Sequence, residues 1–172
     1  MDIALVWAQD RVGAIGRRGA IPWSVPEDMA HFREATGTGA VIMGRKTWES
    51  LPVRFRPLPG RRNIVLTRSA TYAADGAEVS GDLASALDLV GGVASVIGGG
   101  EIYSAAMEHA TRLRVTEIGM LVDGADAFAP AVDPGTWEEA AATDWQRSRT
   151  GTLYRFLEYR RIHYPAAEAR AH

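Results

Sequence analysis

Asp28 is the residue in this chain whose type and position most need a chemical explanation. Val25, Met29, Phe32 and Ala35 recur at helical spacing over SVPEDMAHFREA, and Asp28 falls on the same expected inward face, one turn before Phe32. A carboxylate turned toward apolar neighbours is costly without a partner. It therefore serves either as an internal structural acid or as a ligand-binding or catalytic one. Two glycine-bearing turns supply a second kind of chemistry. Met43-Gly44-Arg45-Lys46-Thr47 and Ile97-Gly98-Gly99-Gly100-Glu101 each follow an apolar run and open a helical one. Free N–H groups at such a turn, with no Cβ in the way, suit a phosphate. Neither is a Walker loop, and Gly98–Gly100 does not match G-x-G-x-x-G. Two such turns on one sheet suggest a ligand with more than one phosphate.

The elements that must position these residues are legible from hydrophobic pattern. Strands are expected at about 3–8, 40–44, 63–67, 77–79, 93–97, 113–118, 137–142 and 153–162. Helices are expected at about 25–36, 46–51, 82–90 and 100–109. Ser24 and Glu27 have the spacing of a capping box, and Pro26 suits a first helical turn. Runs such as Ala40–Met43 and Val93–Ile97 are apolar without alternation, as in strands covered on both faces. The expectation is an α/β fold: a single domain with a central, mostly parallel eight-stranded sheet, an antiparallel C-terminal strand and about four flanking helices. Ligands of open α/β sheets bind beyond the C-terminal ends of the strands, where both glycine turns fall.

The chain has 172 residues, 47% of them hydrophobic and 23% charged, which fits one soluble globular domain. A net charge of -2 gives no reason to expect nucleic acid or an anionic membrane as partner. There is no cysteine, so thiolate chemistry and disulfides are excluded, and a cytoplasmic location is expected. The apolar run at 2–9 is too short to span a membrane and lacks the basic start of a signal peptide. The domain is expected to cover 1–163, with residues 164–172 a frayed tail. Lys46 is the only lysine among 19 basic residues, so a single arginine carries little information.

The ordered series Val6-Trp7-Ala8-Gln9, Gly13-Ala14-Ile15-Gly16, Ile21-Pro22-Trp23, Pro26-Glu27-Asp28, Met43 to Ser50, Pro57-Leu58-Pro59-Gly60-Arg61 and Ile97 to Tyr103 resembles dihydrofolate reductase of the bacterial chromosomal type. The resemblance runs from about residue 3 to 162. It implies reduction of 7,8-dihydrofolate to tetrahydrofolate with NADPH, for one-carbon metabolism, and a small-molecule partner set of dihydrofolate and antifolate inhibitors. A monomer is expected, and no metal.

By that resemblance Asp28 lies under the pterin, where a carboxylate can accept two adjacent N–H groups in a fork and favour protonation of N5, through water. Trp23 and Thr116 would order the surroundings of Asp28. Phe32, Leu51 and Leu58 would wall the ring site, Val6 and Ile97 would lend carbonyls, and Tyr103 would lie near both rings. Arg61 would clamp the glutamate tail, with Arg33 at longer range. For the cofactor, Ala8, Ile15 and Gly16 would hold the carboxamide end. Ile97, also expected at the cofactor, with Gly98, Gly99, Gly100, Glu101 and Ile102 would flank the pyrophosphate. Gly44, Arg45, Lys46, Thr47, Leu66, Thr67 and Arg68 would serve the other end. Two cations there favour NADPH over NADH. Residues 10–23 resemble a mobile loop over the nicotinamide.

The chain departs from common family patterns at Glu101, at the longer Pro52–Phe55 segment and at Ile21. A reductase of riboflavin synthesis on the same sheet would share the glycine turns, but Asp28 with Arg61 argues against it. A silent NADP-binding protein is a further alternative, and Asp28, Trp23 and Thr116 argue against that.

Overall fold

The computed structural model describes residues 1–162. The tail expected to fray lies outside the described residues. Strands run in chain order as β1 (Asp2–Gln9), β2 (Ala14–Gly16), β3 (Ala40–Gly44), β4 (Asn63–Leu66), β5 (Glu78–Ser80), β6 (Val93–Val96), β7 (Arg112–Ile118), β8 (Ala127–Phe128), β9 (Trp137–Ala142), β10 (Gln146–Arg147) and β11 (Leu153–Arg161). The helices are α1 (Pro26–Thr36), α2 (Arg45–Ser50), α3 (Leu83–Leu89) and α4 (Gly100–Ala106), with a 3-10 turn at Val53–Phe55.

Across the main sheet the order is β10, β11, β7, β1, β6, β3, β4, β5, and β9 also pairs with β11. β9 and β10 share one edge of β11, on either side of Thr143–Trp145, so the sheet has eight positions. The pairs from β5 to β7 are parallel; β11 is antiparallel to β7. The expected sheet and its antiparallel C-terminal strand are present.

Alternation along the strands divides the core. Ile3, Leu5, Ile42, Ile64, Val96, Leu113 and Val115 face α3 and α4, whose Ala86, Leu87, Tyr103 and Ala106 complete one continuous cluster. Each fully buried Leu or Ile there contributes about 1.5–3 kcal/mol. The opposite face is covered in two separate islands. Trp48 of α2 packs on Val41, Met43 and Val65. Val25, just before α1, packs on Ile118 and Tyr154, with Ala8, Trp23, Met120 and Phe156 around them. Between the islands the sheet lacks a shared buried core, and this gap lies between α1 and α2. β6 stands between β1 and β3, and its outgoing helix α4 lies on the face opposite α1 and α2. Such a reversal opens a crevice at the C-terminal ends of the strands.

Three expectations need correction. Ser24 and Glu27 do not form a capping box: Val25 is the N-cap and no side chain caps the helix. Glu27 has better partners across the molecule. Its carboxylate accepts from Ser148 Oγ at 2.7 Å and from the Arg149 backbone N–H at 2.9 Å, tying α1 to the β10–β11 hairpin. Met29 is 59% exposed rather than inward, because the face of α1 toward the sheet runs through Val25, Asp28, Phe32, Ala35 and Thr36. The short strands β2, β8 and β10 were not expected from pattern. Two or three residues are too few to show a period.

Candidate active site

Asp28, in the first turn of α1, points at β7. Thr116 Oγ1 donates to its Oδ1 at 2.6 Å. Burial raises the Asp28 carboxyl above the ordinary aspartate value, while the Thr116 hydrogen bond and the nearby His31 pull the other way. The result is a largely enclosed acid that holds its proton to higher pH than a surface aspartate. Trp23 is half-buried in the island beside it, against Val25 and Ile118.

The residues expected as apolar walls stand on the two sides of the gap. Leu51, Leu58 and Ile97 pack on the α2 island and stay partly exposed. Phe32 is half-buried on α1. At the far end, Arg61 joins the two sides: its Nη1 donates to Thr36 Oγ1 at the end of α1, and its Nε donates to Pro59 O at 2.9 Å. No carboxylate pairs with Arg61 among the described residues. Arg33 is exposed in the last turn of α1.

Asn63 is what shapes the Arg61 loop, and sequence reasoning missed it. Its buried side chain accepts from Leu58 N at 2.8 Å and donates to Leu58 O and Arg61 O, both at 3.0 Å. A buried amide at the first position of an apolar strand was the available signal, since such a group needs partners.

On the floor of the crevice the Tyr103 hydroxyl donates to Val6 O at 2.7 Å. Complete burial pushes the Tyr103 hydroxyl far above its ordinary range, so it acts as a neutral donor. The carbonyl keeps a second lone pair. Gly98 and Gly44 let three segments meet: Gly44 N donates to Gly98 O at 2.8 Å. A Cβ on Gly98, whose φ is +119°, would come 3.1 Å from the Tyr103 hydroxyl, and one on Gly44 would come 3.2 Å from Ile102 Cγ1. Beside them, Thr47 Oγ1 lies 3.7 Å from where a Gly99 Cβ would sit. The Gly100 position is closed by Phe128 O and by Ile15 Cδ1.

Arg45 and Arg68 follow Gly44 and Leu66, which are register partners on β3 and β4. Both cations are exposed at one end of the crevice, as is Lys46. Arg45 is held by Glu49 at 2.9 Å and lies 4.1 Å over the Tyr72 ring. Arg68 has no ion pair among the described residues. Leu66 turns its side chain into the main core, and Thr67 N bonds Ser80 O at 3.0 Å. Glu101 is exposed in the first turn of α4.

The 10–23 segment is tied down at its root by Asp10. This fully buried carboxylate accepts from Val12 N and Ala14 N at 2.9 Å and from Val122 N at 2.8 Å. Burial alone would raise its carboxyl, but the backbone donors of Val122, Ala14, Val12 and Gly13 outweigh that and hold it low. β2 pairs with β8, setting Ala14 opposite Phe128 and Gly16 opposite Ala127, and Ile15 reaches the Gly100 turn. Ala8 continues β1 in register with Thr116.

Residues 2–161 match the family model described as dihydrofolate reductase. The chain belongs to the dihydrofolate reductase family. It is 50% identical to the dihydrofolate reductase of Mycobacterium tuberculosis over 161 residues, 92% of this chain and 98% of that one. It is 49% identical to the enzyme of Neisseria meningitidis over 163 residues, 94% of this chain and 99% of that one. A solved dihydrofolate reductase from Enterococcus faecalis, complexed with NADP(H) and RAB-propyl, superposes with a TM-score of 0.84 at 31% identity, covering 94% of this chain and 97% of that one. Dihydrofolate reductase membership accounts for the order of all the motifs at once. Asp10 and Asn63 stand outside those motifs and were found through their buried hydrogen bonds.

Proposed function

We propose that this chain reduces 7,8-dihydrofolate to 5,6,7,8-tetrahydrofolate with NADPH, and that Asp28 is the acid that makes the reduction proceed at neutral pH. The observation that carries this reading is the enclosed Asp28 carboxylate, bonded to Thr116 on β7. When bound, the cofactor supplies the hydride that C6 of the substrate accepts. The rest of the chemistry falls to the chain's own residues. The Asp28 carboxylate accepts the ring N–H and the exocyclic amino group of the pteridine edge as a fork, which fixes the face of C6 that is presented. Its negative charge favours a proton at N5, delivered through water, and a protonated C=N accepts hydride more readily. Trp23 and Thr116 hold the carboxylate and that water. Phe32, Leu51 and Leu58 exclude bulk solvent from the rings, and the carbonyls of Val6 and Ile97 receive the amino edge. Arg61, already oriented by Thr36 and Pro59, takes the glutamate α-carboxylate, with Arg33 adding charge at longer range. The same Asp28 fork accounts for binding of protonated diaminopyrimidine antifolates.

The residues present fit NADPH. Gly44 and Gly98 have no room for a Cβ, and Gly99 lies beside the Thr47 hydroxyl, so backbone and one hydroxyl are what a pyrophosphate there would meet. Gly100, Glu101 and Ile102 continue that turn. Arg45 and Arg68, with Lys46 and Thr67 nearby, supply the positive charge that a 2′-phosphate needs. Ala8, Ile15 and Gly16 offer backbone groups to the carboxamide, and the segment rooted on Asp10 covers it. We place the protein in the cytoplasm as a monomer; the cysteine-free sequence and a site built from one chain support this.

Loss of NADPH absorbance on addition of dihydrofolate tests the reading. Consumption that requires both compounds and yields tetrahydrofolate is expected. A folded protein that consumes no NADPH with dihydrofolate would overturn it.

A further inference from the structure

We propose that His31 is a positioning residue: its stack on Phe156 sets the roll of α1 against the sheet and so aims the Asp28 carboxylate. The inference rests on the Asp28 reading above.

Asp28 and His31 are three residues apart on α1, so their side chains leave the same helix face about 5–6 Å apart. Thr116 and Phe156 are direct partners on the antiparallel strands β7 and β11, with side chains on one sheet face about 4.5–5.5 Å apart. The two spacings match, and the helix meets the sheet through two parallel rungs. One is the 2.6 Å hydrogen bond from Thr116 to Asp28. The other is the His31–Phe156 stack, with ring centroids 3.8 Å apart and planes inclined by 13°. Tyr154 backs Phe156 at 5.4 Å.

A single O–H···O bond is a pivot, about which a helix can still turn. A second rung removes that freedom. Side-chain tips lie about 5–6 Å from a helix axis, so a roll of about 10° would carry the carboxylate roughly 1 Å. A displacement of that size at a reacting centre can cost about a hundredfold in rate. The Glu27 contacts to Ser148 and Arg149 fasten the N-terminal end of α1 but approach from the β10–β11 hairpin, not from beneath the carboxylate.

The charges around His31 suit a stacking role. Asp28 and Glu34 face it from its own helix, Arg114 from β7 and Glu158 from β11. Burial lowers the imidazole's affinity for a proton; Asp28 opposes this, Arg114 reinforces it, and Glu34 and Glu158 oppose it, with the balance lowered. A neutral ring loses less on stacking against phenylalanine than a cation that must be desolvated.

Two variants separate aim from mere stability. His31→Ala removes the rung; His31→Phe keeps an aromatic stack and cannot titrate. In His31→Ala, single-turnover hydride transfer at neutral pH should slow by about tenfold or more, the scale of a sub-ångström misalignment, and the KM for dihydrofolate should rise while the Kd for NADPH holds within about twofold. The pH midpoint of hydride transfer should also move down, because a loosened helix lets water reach Asp28. His31→Phe should stay close to wild type in all of these. The proposal is overturned if His31→Ala lowers Tm yet keeps the wild-type rate, KM and midpoint. It is equally overturned if folded His31→Phe is as impaired as His31→Ala, since the imidazole rather than the stack would then matter. If His31→Ala does not fold, Phe156→Leu removes the same rung from the strand side and is read by the same criteria. Wild-type turnover with an impaired Asp28→Asn shows that the Asp28 reading stands whichever way the His31 variants fall.

Discussion

Thr116 gives its hydroxyl to a carboxylate that burial is working to neutralise. At 2.6 Å the bond favours the charged form of Asp28, yet burial prevails and the group stays above its ordinary value of 3.8. The acid is thus held where its charge, which the pterin fork requires, is kept at a cost to the fold.

A stability consequence follows from the sign of that shift. The folded state binds the Asp28 proton more tightly than the unfolded state does. The cost of ionising it in place therefore builds as pH rises from the unfolded value to the raised folded one, and persists above. Asp28→Asn should melt at a higher temperature than wild type at pH 7.5, and the difference should shrink as pH approaches 4. Paired thermal melts at the two pH values check this; a lower Tm for the amide at pH 7.5 would contradict it.

Asp10 has the opposite sign. Its carboxyl is held low, so its contribution is complete above the unfolded value and is lost as pH falls through the folded one. Asp10→Asn keeps the shape but leaves one acceptor oxygen for three backbone donors. A loss of about 1.5–3 kcal/mol at pH 7 is expected, the scale of a hydrogen bond to a charged group. Because Asp10 roots the 10–23 segment, NADPH binding should weaken as well. Urea titration at pH 7 with unchanged stability would show that the three contacts contribute little.

Arg61→Ala should raise the KM for dihydrofolate far more than that for NADPH, with a binding loss of about 2–4 kcal/mol for a charge-assisted fork. Arg61 also braces Thr36 at the end of α1, so a small loss of stability should accompany it. Steady-state kinetics with each ligand varied in turn decides the point; equal effects on both would remove Arg61 from the folate site.

Replacing Arg45 and Arg68 together by Ala should shrink the preference for NADPH over NADH. Arg45 has to share its guanidinium between Glu49 and an incoming phosphate, whereas Arg68 is unpaired among the described residues. Ratios of kcat/KM for the two cofactors measure this. A double variant that kept its full preference would put the 2′-phosphate site elsewhere.

What could be read from sequence was whatever repeats over a short span. The buried strands announced themselves as unbroken apolar runs, and Asp28 as an acid on the face of Phe32. What could not be read depends on contacts between distant residues. Glu27 looked like half of a capping box because Ser24 is three residues away; its actual partner, Ser148, is 121 residues away. Asp10 reaches Val122 across 112 residues. Met29 has the right type for an inward position and the wrong angle, because the sheet meets α1 along the Asp28–Phe32 stripe. Asn63 sits in an apolar run and shows its purpose only when the Leu58–Arg61 loop folds over it.

The central claim is that the charge of Asp28, not its shape, drives the reduction, and single-turnover hydride transfer in Asp28→Asn tests it most directly. The amide is nearly the same size and can still accept from Thr116, so folding and NADPH binding should survive. Transfer to dihydrofolate should fall at least ~100-fold near neutral pH, the scale of lost acid–base assistance, and the defect should ease at lower pH, where solvent protonates the substrate. Near-wild-type transfer at neutral pH, in a variant shown to be folded and cofactor-bound, would contradict the account and leave Asp28 a structural acid.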